Sequence, residues 1–152
     1  MSLIRRFCYL LLVTCLFVLW GTDITLAEVC PQGRYVSQAP DNIYNQINPL
    51  GNTPDVQAKG EKLYHWTAKP LPCANCHGIS GNAKGMMARS MTPKPRNFSC
   101  KVMMKDIPDG QLFWIIRNGS PGTSMPAFKN LDDKQIWQIV HYLRQFSAPR
   151  GK

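Results

Sequence analysis

The sequence has few acidic residues: nine Asp and Glu stand against 18 Lys and Arg, which gives a formal charge of +9 over 152 residues. A basic chain of this kind attracts acidic proteins or anionic membrane surfaces. Its basic residues are scattered, and it lacks the runs of Lys and Arg that often mark nucleic-acid binding. The charge pattern therefore predicts an acidic protein partner and no nucleic acid.

Two further patterns are missing. No segment reads as a convincing strand, so the fold class predicted for this single domain is all-α. No Ser/His/Asp set and no paired carboxylates suggest hydrolytic or acid–base chemistry, so the sequence does not predict an enzyme.

The longest apolar run, residues 7–20, is shorter than the ~20 residues that comfortably span a bilayer. Arg5 and Arg6 precede it, and small residues begin and end the segment 25–27. This order is typical of a secretory signal peptide, predicted here over residues 1–27, and it predicts export to the periplasm. An uncleaved membrane anchor is the alternative, and it would be the chain's only contact with the membrane.

The stretch that carries chemistry is Cys73-Ala74-Asn75-Cys76-His77, the attachment sequence of c-type haem. Each thiol adds to one vinyl group of the porphyrin, and two residues three apart lie on one side of a helical turn. The adjoining histidine then ligates the iron. A zinc site or a thiol–disulfide centre is the alternative for the two cysteines.

Of the six cysteines, two lie in the predicted signal peptide and two in the haem attachment sequence, which leaves Cys30 and Cys100. In an oxidising compartment an even remainder favours a disulfide. The bond would tie a proline-rich, irregular N-terminal extension, residues 28–54, to the haem domain, residues 55–148. A thiolate ligand from Cys100 is the alternative.

Helical periodicity and stop signals divide the haem domain. Helices are predicted over about residues 55–67, 108–118 and 132–146. Residues 78–100 are rich in Gly and Pro and are predicted to form a loop with at most one short helical turn, packed against a flat ligand.

The second axial ligand of the iron is predicted to be Met125, because a thioether suits haem iron and Pro126 stiffens its loop. His65 and His141 are interpreted as packed or surface histidines rather than ligands. The other methionines of the domain are interpreted as core-filling residues: Met86, Met87, Met91, Met103 and Met104.

Residues 55–146 resemble a class I c-type cytochrome of the monohaem, His/Met-ligated, bacterial periplasmic type. The motifs that carry the resemblance are Gly60-Glu-Lys-Leu-Tyr64, Cys73-Ala-Asn-Cys76-His77-Gly78, Asp109-Gly-Gln-Leu-Phe, Gly119-Ser-Pro-Gly-Thr-Ser-Met125-Pro-Ala-Phe128 and Ile136-Trp-Gln-Ile-Val-His-Tyr142-Leu.

The resemblance implies a helical shell around one covalent haem, with Gly60 and Tyr64 crossing the last helix near Ile139 and Tyr142. It also implies that the carbonyl of Pro93 or Pro95 accepts a hydrogen bond from His77.

The function expected from these residues is periplasmic one-electron transfer, since two protein ligands leave no open iron position for a substrate. A haem subunit of a periplasmic oxidoreductase complex and a gas-binding haem sensor are the alternatives. The expected partners are redox proteins with acidic docking surfaces. Five lysines are expected to flank the haem and to contact these acidic surfaces: Lys84, Lys94, Lys101, Lys105 and Lys129.

Overall fold

The structure is a computed structural model that describes residues 30–33 and 36–148. The predicted signal peptide lies outside these residues. All regular secondary structure in the described part of the chain is helical, which confirms the all-α prediction. Among the same residues, no helix combines the length and apolar character needed to cross a membrane.

Three helices longer than two turns form the frame, and all three were predicted. They are α2 (Pro54–Lys62), which continues as a π-helical turn (Leu63–Thr67), α5 (Asp109–Asn118) and α6 (Asp133–Gln145). Shorter helical pieces complete the described chain: α1 (Asp41–Tyr44), α3 (Ala74–His77), a 3₁₀ turn (Met86–Ser90) and α4 (Lys101–Met104). The 3₁₀ turn is the short helical turn expected in the loop, whereas α1 and α4 are too short to show an apolar period.

The ends of α2 and α6 are set by local sequence. Thr53 precedes α2 and its side-chain oxygen accepts a hydrogen bond from the backbone N–H of Val56, at 3.3 Å. Asp132 and Gln135 form a reciprocal capping box at the start of α6, with bonds of 2.7 and 2.9 Å. These caps satisfy backbone donors that a first helical turn leaves unpaired.

Helices α2 and α6 cross at Gly60. A Cβ at this position would lie against the backbone carbonyl of Gln138 and 3.0 Å from the Cβ of Tyr142. Only glycine allows this approach, which explains a glycine inside a helix where alanine is otherwise favoured. The crossing buries Tyr64 and Ile139 completely, and it agrees with the arrangement that the resemblance implied.

The described part of the N-terminal extension runs along the helical frame. The backbone N–H of Gly110 donates to the carbonyl of Gln46, and a Cβ at Gly110 would collide with the carbonyl of Ile43. The buried Gln111 side chain donates to the carbonyl of Ser37 and accepts from the N–H of Ala39, at 2.9 and 2.7 Å. Polar contacts with α5 therefore hold the extension, and its partly buried Ile43 and Leu50 also pack against the core.

A disulfide joins Cys30 to Cys100, whose Cα atoms lie 5.7 Å apart. This is the pairing expected from the cysteine count. It attaches the start of the described extension to the residue that precedes α4.

Loss of this disulfide should destabilise the protein. The bond spans 70 residues of sequence, for which the chain-entropy estimate is on the order of 4 kcal/mol. We expect the double variant Cys30→Ser, Cys100→Ser to lower the free energy of unfolding in urea by an amount of this order. Wild-type protein unfolded in the presence of a reductant should match the variant, and an unchanged free energy in both would contradict the structural role.

Candidate haem-binding site

One cavity of about 580 Å³ collects all the residues predicted for the cofactor site. Its wall contains Cys73, Cys76, His77, Met125, Pro93 and Pro95. Much of the remaining wall is apolar, including Leu112, Ile116, Phe128, Ile139 and Leu143. This volume lies in the range of sites that bury a small-molecule ligand.

Cys73 and Cys76 are both free, half-buried cysteines that line the cavity, Cys73 directly before α3 and Cys76 within it. Burial raises the pKa of Cys73 to about 12, and burial also raises the pKa of Cys76. Both groups are therefore uncharged thiols at neutral pH, unlike the low-pKa thiolates of thiol–disulfide enzymes. In the described part of the chain, no three His, Cys, Asp or Glu side chains cluster as a metal site.

His77 ends α3 and is 8% exposed. Its Nδ1 lies 2.9 Å from the carbonyl oxygen of Arg96, and its ring stacks on Phe98 with 4.4 Å between centroids. A carbonyl only accepts, so Nδ1 carries the proton and Nε2 bears the lone pair that a metal would bind. The two contacts fix both the tautomer and the plane of the imidazole.

The expectation that Pro93 or Pro95 accepts this hydrogen bond is wrong. The carbonyl of Pro95 instead accepts from Nε2 of Gln32, at 2.9 Å. In an extended chain successive carbonyls face opposite sides, so the next carbonyl, that of Arg96, faces His77. Both prolines still line the cavity.

Hydrogen bonds fix the backbone on each side of Met125. Its N–H donates to the Thr123 hydroxyl oxygen at 3.1 Å, and its carbonyl accepts from the N–H of Ser120 at 3.2 Å. Gly119 has a φ of +74°, and a Cβ there would come within 2.9 Å of the Met125 carbonyl. The loop therefore holds the backbone of Met125 in place, and its side chain lines the cavity.

The other methionines only partly match the core-filling interpretation. Met104 is fully buried, but Met86 and Met87 are 85% and 45% exposed, so the interpretation is wrong for those two. Met91 and Met103 line the cavity. The Met103 sulfur accepts a hydrogen bond from the guanidinium of Arg96 at 2.8 Å, which engages one of its two lone pairs.

The alternative ligands considered from the sequence lie off the described cavity wall. His65 Nε2 is 2.9 Å from the hydroxyl of Tyr142, and His141 Nε2 is 2.7 Å from the carbonyl of Leu50. Cys100 is in the disulfide. The contacts of His65 and His141 agree with their interpretation as packed residues, and Cys100 has no free thiol to bind iron.

The extension supplies wall residues that sequence reasoning did not identify: Pro31, Gln32, Val36, Gln38 and Tyr44. No local motif marks them, because their role depends on contacts with residues more than 60 positions away, such as the bonds of Gln32 to residues 95 and 97.

The donor set fits a c-type haem. Two thiols, an imidazole with a fixed tautomer and a thioether face one largely apolar cavity, and among the described residues of its wall Asp106 is the one carboxylate. This combination defines a class I c-type cytochrome.

The comparisons agree with this class. The chain belongs to the family described as "Cytochrome C oxidase, cbb3-type, subunit III", whose model matches residues 55–143. No curated protein matches the chain significantly. A similar solved structure is the reducing HAO-like protein complex of Kuenenia stuttgartiensis, with 28% identity and a TM-score of 0.56. That match covers 64% of this chain and 46% of the other, so this chain spans less than half of its length.

Proposed function

We propose that the protein is an exported, periplasmic one-electron carrier with a single haem c bound through Cys73 and Cys76. His77 and Met125 are the proposed axial ligands. The observation that supports this best is the convergence of these four side chains on one cavity. Family membership supports the electron-transfer role itself.

The chain's own residues define what the bound haem can do. When bound, the haem supplies a one-electron ferric/ferrous couple. The Arg96 carbonyl makes His77 a more basic ligand, which favours ferric iron, while the thioether of Met125 favours ferrous iron. With His77 and Met125 both holding the iron, the site would suit electron transfer rather than chemistry on a substrate.

A second function is supported by the similarity to a chain of the reducing HAO-like protein complex. The matched chain there is more than twice as long as the part that aligns. By analogy, this chain would serve as the haem subunit of a periplasmic oxidoreductase complex, with the extension as part of an interface. A gas-binding sensor would instead require an open sixth position on the iron.

Met125→Ala should open the sixth position. We expect the ferric variant to lose the weak sulfur-to-iron charge-transfer band, its reduction potential to fall, and the ferrous variant to bind carbon monoxide rapidly, because no strong ligand opposes it. The wild-type protein should bind carbon monoxide slowly.

Met91→Ala and Met103→Ala are the matched controls, since both side chains line the same cavity. They should retain the band. If the band persists in Met125→Ala and disappears in either control, the ligand is assigned to the wrong methionine. Rapid carbon monoxide binding by the wild-type protein would favour the sensor.

Partner encounter should depend on ionic strength. Lys84, Lys94, Lys101, Lys105 and Lys129 are all exposed, and exposed charges are screened beyond roughly 10 Å at 0.1 M salt. We expect stopped-flow electron transfer to an acidic redox protein to slow several-fold between low and 0.1 M salt. A rate indifferent to salt, together with elution of the native protein as a stable larger assembly, would favour the resident subunit over the mobile carrier.

A further inference from the structure

Gln32 and His77 bind opposite sides of one short backbone segment, residues 95–97. The Gln32 amide donates from Nε2 to the carbonyl of Pro95 at 2.9 Å and accepts at Oε1 from the N–H of Asn97 at 2.8 Å. The carbonyl between these two groups, that of Arg96, accepts from Nδ1 of His77 at 2.9 Å. Three hydrogen bonds therefore fix the direction of the carbonyl that orients the histidine.

Both partners in this arrangement are anchored. Gln32 lies two residues after Cys30, which is bonded to Cys100. Asn97 is 7% exposed, and its side-chain oxygen accepts from the N–H and the hydroxyl of Ser99, at 2.9 and 2.6 Å. The extension is thus joined to residues 95–100 by the disulfide at Cys100 and by a bidentate amide contact at residues 95 and 97.

We propose that Gln32 is a positioning residue for the iron ligand His77, so that the N-terminal extension sets the strength of the hydrogen bond at Nδ1 and through it the reduction potential. This inference rests on the proposed function, because it requires haem bound at His77. An amide side chain suits the role, since it offers a donor and an acceptor together. The effect is indirect: Gln32 acts through the Arg96 carbonyl.

Loss of the Gln32 bonds and simple loosening of the extension should change the ratio of ferrous to ferric haem in opposite directions. A strong bond from Nδ1 raises the basicity of the imidazole and favours ferric iron, so weakening it should favour ferrous iron. Water entering along a loosened extension would instead stabilise the more highly charged ferric form. The two explanations therefore shift the ferrous-to-ferric ratio in opposite directions.

The test compares Gln32→Met with Gln38→Met in the full-length holoprotein. Both residues lie in the extension and line the cavity, but among the described residues no hydrogen bond joins Gln38 to the segment 95–97. At a fixed applied potential, we expect Gln32→Met to raise the ferrous-to-ferric ratio several-fold, where tenfold corresponds to 59 mV. Gln38→Met also removes a polar amide from the cavity wall but leaves the segment 95–97 bonded, so we expect it to raise the ratio by clearly less than Gln32→Met does.

A second readout follows the hydrogen bond itself. In NMR spectra of the diamagnetic ferrous protein, solvent exchange of the His77 Nδ1 proton should quicken about tenfold or more in Gln32→Met, by the energetics of one weakened buried bond. Gln32→Glu, whose carboxylate can accept from Asn97 but not donate to Pro95, should give an intermediate exchange rate. This variant keeps the test decisive if Gln32→Met fails to mature.

An unchanged or lowered ratio in Gln32→Met, with exchange of the Nδ1 proton as slow as in the wild type, would overturn the inference. The same would hold if Gln38→Met produced equal shifts. Neither of these two results would contradict the proposed function. That function is contradicted separately if the wild-type protein carries no covalent haem.

Discussion

The cavity enclosed by the helices is the constraint on which the rest of the structure depends. Segments from the extension, α3, the loop before α4, α5, the Met125 loop and α6 all contribute to its wall. They are short, and most lack a long apolar face of their own, so they need a shared apolar partner to bury. A flat, apolar cofactor held by two thioether bonds would supply that partner, whereas α2 and α6 pack closely against each other at Gly60.

Residues from distant parts of the chain position the His77 side chain at that cavity. The π-helical turn places the buried Tyr64 hydroxyl 2.8 Å from the carbonyl of Gly78, directly after His77. Phe98 covers the imidazole ring, and the carbonyl of Arg96 accepts a hydrogen bond from its Nδ1–H. Gln32 then holds the backbone that carries these two residues, so a segment outside the family match helps to position the His77 imidazole, the proposed iron ligand.

Much of this could be predicted from sequence because the relevant signals are local. Cys73, Cys76 and His77 are adjacent in sequence, and their spacing has a chemical cause. The periodicity of α6 spans more than three turns. Gly60 indicated a close helix crossing because glycine destabilises a helix relative to alanine unless another backbone packs against it.

The remaining features depend on long-range contacts that leave no local pattern. The carbonyl of Arg96 faces His77, whereas that of Pro95 binds Gln32, which lies 63 residues away in the sequence. The exposure of Met86 is set by the 3₁₀ turn that carries it, not by its apolar neighbours in sequence. The helices α1 and α4 have four residues each, too few for a periodic signal.

Mass spectrometry of the purified, denatured protein with peptide mapping tests the central claim most directly. Thioether bonds survive denaturation, so the polypeptide should carry the added mass of one haem, located on the peptide that contains Cys73 and Cys76. A polypeptide of unmodified mass from cells competent in haem attachment, or the added mass on another peptide, would contradict the assignment of this cavity as a covalent haem site.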